Sequence, residues 1–144
     1  MDGPKNQAGA AGDVLERMLA KAAEARANAH APYSNFKVGA CLRGDSGRLF
    51  AGCNVENAAY PMGQCAEATA LGALIAAGDK RVLECVVVAE GGRLTTPCGG
   101  CRQRLSEFAG TEMKVHVCDP GGSRWTVTLG ELLPHSFGRE HLDR

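Results

Sequence analysis

Alternation of apolar and polar residues divides the first half of the chain into a helix and a pair of strands. Apolar residues recur at helical spacing from Asp13 to about Asn28, which predicts an amphipathic first helix that stops before Pro32. Strict alternation from Phe36 to Arg43 predicts a strand. A turn cluster at 44–47 and a second apolar stretch from Arg48 to Glu56 complete a β-hairpin.

The second half of the chain alternates helices with strands. The pattern predicts a helix, a strand, a helix and two further strands, at 64–77, 83–89, 98–109, 113–118 and 124–128. The run from Leu83 to Ala89 is almost wholly apolar, which is typical of a strand buried on both faces. Strands interleaved with helices predict an α/β fold: a three-layer α/β/α sandwich around one mixed five-stranded sheet.

Composition and charge narrow the class of protein. The 144 residues are 44% hydrophobic and 22% charged, as in a soluble globular protein. Without a repeat or a linker, residues 13–144 are predicted to form one domain, and the Gly- and Ala-rich residues 1–12 a disordered tail. A net charge of zero with scattered basic residues disfavours polymeric nucleic acid and membranes as partners. No apolar run resembles a membrane span or a secretory signal, so a cytoplasmic location is expected.

The seven cysteines are the first sign of chemistry. In a cytosolic chain of this length they indicate metal binding or catalysis rather than a disulfide framework. The segment 97–101, Pro-Cys-Gly-Gly-Cys, places Cys98 and Cys101 on one face at the start of a predicted helix. Alone, this pair fits metal ligation and a redox pair or two small buried residues equally well. The other cysteines fall in predicted strands and are expected to be small, reduced core residues: Cys41, Cys53, Cys85 and Cys118.

The segment Cys65-Ala66-Glu67 favours metal ligation. Cys65 begins another predicted helix, so two helix starts can converge on one point. Three thiolates leave the fourth tetrahedral position of a zinc ion open to water, which is typical of a catalytic zinc site. Glu67 would then move protons between water and substrate, although a first-turn Glu is also favoured by the helix dipole alone. The four histidines have no ligand-like spacing and are expected at surface or strand positions: His30, His116, His135 and His141.

Three cysteines with a non-ligating glutamate are a known signature of zinc deaminases. The chain as a whole resembles the small tetrameric cytidine deaminases, because motifs occur in that family's order at 33–40, 52–61, 65–67, 97–103 and 131–138. The resemblance implies one zinc ion per subunit, held by Cys65, Cys98 and Cys101. It also implies hydrolytic deamination of cytidine and deoxycytidine to uridine and deoxyuridine, a step of pyrimidine salvage that releases ammonia, with Glu67 as the catalytic proton carrier.

The resemblance also assigns substrate-binding roles. It implies that Asn54 and Glu56 bind the ribose hydroxyls. The predicted strand is consistent with this, because residues i and i+2 of a strand lie on the same face. It implies that Phe36 stacks on the pyrimidine ring, whereas the hydrophobic pattern alone favours a core position for this residue. Ala66 is expected to offer a backbone contact to the base.

Two aromatic residues bear on the expected oligomeric state. In the family that this chain resembles, the residues matching Tyr60 and Phe137 approach the active site of a neighbouring subunit. The resemblance therefore implies a homotetramer whose active sites are completed across subunit interfaces.

One position departs from the family pattern. Ala68 stands where relatives commonly have an arginine that donates to the thiolates. Three thiolates on Zn²⁺ carry a net charge of −1, which weakens the ion as a Lewis acid. The helix N-termini and Arg102 are candidates to compensate.

The same departure leaves alternatives open. Deaminases of blasticidin-type antibiotics also lack this arginine, so a modified cytosine nucleoside is a second candidate substrate. The intact segment from Asn54 to Tyr60 favours an ordinary ribonucleoside instead. A deaminase of polymeric nucleic acid is disfavoured by the neutral charge. A non-catalytic zinc-stabilised module would need a fourth protein ligand.

Overall fold

The computed structural model describes residues 3–91 and 93–143. Its five strands form one sheet in the order β2-β1-β3-β4-β5. They are β1 (Val38–Gly44), β2 (Leu49–Cys53), β3 (Val82–Ala89), β4 (Lys114–Cys118) and β5 (Arg124–Thr128). Strands β3 and β4 pair in parallel and every other neighbouring pair is antiparallel, which confirms the predicted mixed sheet.

Helices cover both faces of this sheet. They are α1 (Gly3–Ala27), α2 (Ala66–Ala76), α3 (Gly99–Ser106) and α4 (Leu129–Leu132), with 3-10 turns at Tyr60–Met62 and Arg139–His141. On one face, Met18 of α1 is buried with Cys41 and Val86 of the sheet. On the other face, Leu74 of α2 and Leu105 of α3 are buried with Leu42, Val87 and Val117. Successive strand residues thus serve opposite cores, and the predicted α/β/α sandwich is confirmed.

The first helix is longer than the sequence pattern indicates. It begins at Gly3 and not at Asp13, so it extends through most of the stretch 1–12 that was predicted as a disordered tail. The alanines of this stretch are strong helix formers, and helix propensity outweighs its three glycines. Met1 and Asp2 lie outside the described residues. No helix among the described residues has the length and apolar character needed to cross a bilayer.

Strand β2 is shorter than predicted. It ends at Cys53, so Asn54 and Glu56 lie in the loop that follows it and not on the strand itself. The reason is a side-chain contact: the amide of Asn54 donates to Phe36 O at 2.8 Å and accepts from Val38 N at 2.9 Å. In the next rung of the β1–β2 ladder, Asn54 N still donates to Val38 O at 3.2 Å, but the side chain of Asn54 replaces its backbone oxygen as the acceptor for Val38 N.

The four cysteines expected in the core do lie in strands, one in each of β1 to β4. Cys41, Cys85 and Cys118 are buried, and Cys53 is partly buried. Burial raises the pKa of Cys41 to about 11, which keeps this thiol protonated and unreactive at neutral pH.

Candidate active site

Three cysteine thiols meet at the starts of two helices. Cys65 is the N-cap residue of α2, Cys98 is the N-cap residue of α3, and Cys101 lies in the first turn of α3. Their sulfur atoms all lie within 4.8 Å of one another, and the Cys65 and Cys98 sulfurs are 3.7 Å apart. Two thiolates on one tetrahedral zinc ion lie about 3.8 Å apart, given a Zn–S bond of about 2.3 Å. The donor set and its spacing therefore fit zinc.

The set of candidate ligands stops at three. Among the described residues, no histidine or carboxylate joins Cys65, Cys98 and Cys101 as a fourth ligand. A structural zinc site closes all four tetrahedral positions with protein atoms, whereas a catalytic site leaves one for water or substrate. The arrangement is that of a catalytic site.

The loop between β2 and α2 brings Cys65 back to the edge of the sheet. Val55 and Gln64 exchange backbone hydrogen bonds of 2.9 and 2.8 Å, which closes this loop at its base. Helix α2 then packs directly on β2 at Gly52, where a Cβ atom would lie 2.5 Å from the backbone N of Ala70. A glycine is needed there because any side chain would push the first turns of α2 away from the sheet.

The environments of the thiols favour a bound cation. Burial raises the pKa of Cys65, and burial followed by the Glu67 carboxylate and the other two thiols raises that of Cys101. Burial also opposes ionisation of Cys98, but the backbone N–H of Cys101 and the Cys65 thiol outweigh it and lower the pKa of Cys98. Three adjacent thiolates destabilise one another, and a divalent cation between them removes that cost.

Glu67 is the buried carboxyl group beside this cluster. It is the second residue of α2, and only 5% of it is exposed. Burial raises the pKa of Glu67, while the Arg104 guanidinium acts in the opposite direction. A buried carboxyl beside a candidate metal site is placed to exchange protons with water or a ligand in the cavity.

A cavity of about 350 Å³ opens over the thiols and Glu67. Its volume lies in the range of small-molecule sites. Eight residues that were singled out from the sequence line it: Phe36, Asn54, Glu56, Tyr60, Cys65, Ala66, Glu67 and Cys98. Residues that sequence reasoning missed also contribute, among them Val38, Gln64, Val87, Thr95 and Thr96. Only the fold identifies these, because they come from four separate segments.

Phe36 lies at this cavity and not in the core that its alternating pattern favours. It is 39% exposed and precedes the first residue of β1. An exposed aromatic ring on a cavity wall suits stacking against a planar ligand.

Asn54 and Glu56 hold the loop that carries Phe36. The amide of Asn54 bridges the backbone of Phe36 and Val38. The carboxylate of Glu56 accepts hydrogen bonds from Tyr33 N at 3.0 Å, from Ser34 N at 3.1 Å and from the Ser34 hydroxyl. The Ser34 hydroxyl is the main cause that lowers the pKa of Glu56. Sequence reasoning expected contacts to sugar from these residues and missed this scaffolding role.

Two predicted site residues do not line the cavity: Cys101, which is buried behind it in the thiol cluster, and Phe137. Phe137 is 57% exposed, its ring stacks on that of His141 with centroids 5.0 Å apart, and its carbonyl accepts from Gln103 Nε2 at 2.9 Å. Within one chain, Phe137 does not line the cavity that Glu67, Cys65 and Cys98 share.

The arginine that contacts a thiol is Arg104 and not Arg102, which the sequence offered as one candidate beside the helix N-termini. Arg102 donates to Pro97 O at 2.7 Å, to Leu132 O at 2.7 Å and to Thr96 Oγ1 at 2.8 Å, so its guanidinium is committed to backbone and hydroxyl oxygens. Arg104 Nη1 lies 3.7 Å from Cys101 Sγ. The spacing of three residues on a helix is the signal that could have identified it.

Comparison with known proteins gives a consistent result. Residues 13–117 match the family model of the cytidine and deoxycytidylate deaminase zinc-binding region. A cytidine deaminase of Mycobacterium tuberculosis is 42% identical over 134 residues, which cover 92% of this chain and 96% of that protein. One from Sporosarcina psychrophila is 38% identical over 89% of this chain and 94% of its own length.

A solved structure agrees with these sequence relatives. The crystal structure of a cytidine deaminase from Burkholderia pseudomallei superimposes with a TM-score of 0.81 at 41% identity. The match covers 85% of this chain and 98% of that one.

Proposed function

The chain belongs to the cytidine and deoxycytidylate deaminase family, and we propose on that basis that it hydrolyses cytidine and deoxycytidine to uridine and deoxyuridine. In this reaction the oxygen of water replaces the amino group on C4 of the pyrimidine, and ammonia leaves. The observation that carries the proposal is a cluster of three thiols, two of which line one cavity together with the buried carboxyl of Glu67.

The proposed cofactor is one zinc ion per chain, held by Cys65, Cys98 and Cys101. When bound, it supplies the Lewis acidity that makes water a nucleophile at neutral pH. Glu67 accepts a proton from the attacking water and delivers it to N3 of the base. It then passes the second proton to the leaving amine. The raised pKa of Glu67 supports this role, because burial makes the carboxyl a stronger base than an exposed one.

Substrate binding is assigned to the residues on the cavity wall. Phe36 stacks on the pyrimidine ring, and the backbone of Ala66 contacts the base. Asn54 and Glu56 bind the ribose hydroxyls. The lowered pKa of Glu56 supports this role, because an ionised carboxylate is a strong acceptor for sugar hydroxyls.

We propose that Tyr60, which also lines the cavity of its own chain, and Phe137 reach the active site of a neighbouring subunit in a homotetramer. Their exposure, 75% and 57%, supports this assignment because large aromatic side chains are enriched at subunit interfaces. The seven free cysteines support a reducing compartment, so we place the enzyme in the cytoplasm, in pyrimidine salvage.

The experiment that tests this function follows ammonia release from cytidine, deoxycytidine, blasticidin S and a cytosine-bearing single strand. Turnover of the first two is expected. Turnover of blasticidin S alone would show that the substrate is a modified nucleoside. If the zinc-loaded protein releases ammonia from none of the four, the enzymatic assignment is wrong. Light scattering of the same sample reports the mass of the assembly and tests the tetramer.

A further inference from the structure

We propose that Arg104 is a positioning residue for the zinc site: from helix α3, it supplies the positive charge that Ala68 on α2 does not. The inference rests on the proposed zinc site but not on the identity of the nucleoside.

The guanidinium of Arg104 contacts one candidate ligand directly and faces the open space beside a second. Its Nη1 is 3.7 Å from Cys101 Sγ. A Cβ atom built on Gly100 would lie 3.1 Å from Arg104 Nη1 and 3.9 Å from Cys98 Sγ. The missing side chain at Gly100 thus leaves open the space between the guanidinium and the Cys98 sulfur. The cation thus reaches the Cys101 thiol from three residues further along the same helix.

Ala68 and Arg104 line the same cleft, which has a volume of about 630 Å³ and lies between α2 and α3. An arginine stem at either position would run through this cleft toward the thiols. The small side chain of Ala68 leaves the cleft to the stem of Arg104. An arginine at either position, 68 or 104, could therefore place its guanidinium beside the thiols.

The net charge of the zinc cluster explains why a nearby arginine would matter. Three thiolates and Zn²⁺ sum to a net charge of −1, and a permanently charged guanidinium offsets it. The neighbouring Arg102 cannot do so, since Pro97, Thr96 and Leu132 hold its guanidinium. Among the described residues, no carboxylate forms an ion pair with Arg104, so its charge is not neutralised elsewhere.

The test measures zinc affinity by competition with a chromophoric chelator, independently of turnover. Arg104→Met keeps an apolar stem and removes the charge. It is expected to weaken zinc binding about 10-fold, at the lower end of the range for residues that contact metal ligands, because Arg104 is exposed to solvent. Arg104→Lys is expected to retain most of the affinity. Arg17→Met, at an exposed position on α1, is the matched control and should leave the affinity unchanged.

The decisive comparison moves the arginine from position 104 on α3 to position 68 on α2. The double variant Ala68→Arg with Arg104→Met is expected to recover zinc affinity relative to Arg104→Met. A purely structural role of Arg104 would not be rescued from another helix. Unchanged affinity in Arg104→Met, or no recovery in the double variant, would overturn the proposal. Arg104→Gln offers the same comparison if methionine prevents folding.

The outcomes separate this proposal from the proposed function. A wild-type protein that binds zinc but deaminates no nucleoside would contradict the function and leave the role of Arg104 intact. An Arg104→Met variant that loses turnover at full zinc affinity would contradict the role of Arg104 and leave the function intact.

Discussion

Cys65 and Cys98 each cap a different helix, and their sulfur atoms lie 3.7 Å apart. Neither side chain forms the hydrogen bond by which a capping residue usually satisfies its own helix. Both sulfurs remain available for a ligand, while the N–H groups of two helix starts direct partial positive charge toward them. The helix ends thus stabilise the anionic form of the thiols that a metal requires.

Replacement of a ligand should cost the protein its zinc. In Cys98→Ala, two thiolates cannot complete the site, so we expect less than one zinc ion per chain by elemental analysis, together with loss of turnover. Cys53→Ala is the matched control, because Cys53 lies in β2 outside the thiol cluster and should keep its zinc. Equal zinc content in the two variants would contradict the assignment of the ligands.

Glu67→Gln separates proton transfer from metal binding. Glutamine has nearly the same shape but cannot accept a proton, so we expect kcat to fall about 10²–10⁴-fold while the zinc content stays at the wild-type value. Steady-state ammonia release and elemental analysis of one preparation measure both quantities. Glu24→Gln, at an exposed position on α1, should change neither. Near-normal turnover in the zinc-loaded Glu67→Gln variant would contradict the proposed mechanism.

The sequence pattern was sufficient to predict the sheet and the helix layers, but not to predict where each helix and strand begins and ends. The apolar run of β3 and the alternation of β1 are local signals, and both strands are present, although β1 begins at Val38 and not at Phe36. The end of β2 depends on contacts of the Asn54 side chain with Phe36 and Val38, residues distant along the chain. No local pattern encodes such a contact.

The candidate site shows the same division. The three cysteines and Glu67 could be predicted because zinc chemistry demands particular residue types at particular spacings. The arginine beside the thiols could not be predicted in the same way. Adjacency to Cys101 along the chain favours Arg102, whereas the turn of the helix brings Arg104 to the Cys101 thiol. Of the histidines, three are exposed and His116 is buried in β4, as a surface-or-strand placement predicts.

Two glycines near the site should respond to alanine in opposite directions. At Gly52 a Cβ atom would lie 2.5 Å from Ala70 N and 2.8 Å from Ala66 O, so Gly52→Ala should displace α2 and destabilise the protein by about 1–3 kcal/mol. Gly72 lies inside α2 with no heavy atom within 4 Å of its built Cβ, so Gly72→Ala should stabilise by about 0.4–1 kcal/mol. Urea unfolding measures both. A destabilising Gly72→Ala, or a neutral Gly52→Ala, would show that the packing of α2 is not as described.

The cluster of Glu84 and His116 predicts a pH-dependent stability remote from the site. The pKa of Glu84 is lowered, first by its hydrogen bond to His116 (2.6 Å) and also by Arg43. A carboxyl with a depressed pKa stabilises the fold fully above its unfolded value, near 4.5, and loses that contribution as the pH falls through its folded value. Glu84→Gln should therefore destabilise the protein by about 1–3 kcal/mol at pH 7.

This destabilisation should shrink at acid pH, because the wild-type carboxyl then becomes protonated as well. The measurement is the difference in unfolding free energy between wild type and Glu84→Gln at pH 7 and below pH 4.5. Any loss of zinc at low pH affects both proteins alike and cancels in that difference. Glu16→Gln is the control, since the Glu16 side chain is 69% exposed and its 3.4 Å pair with Arg124 should contribute little at either pH. A Glu84→Gln penalty that is equal at both pH values would mean that the ionised carboxylate of Glu84 is not what stabilises this cluster.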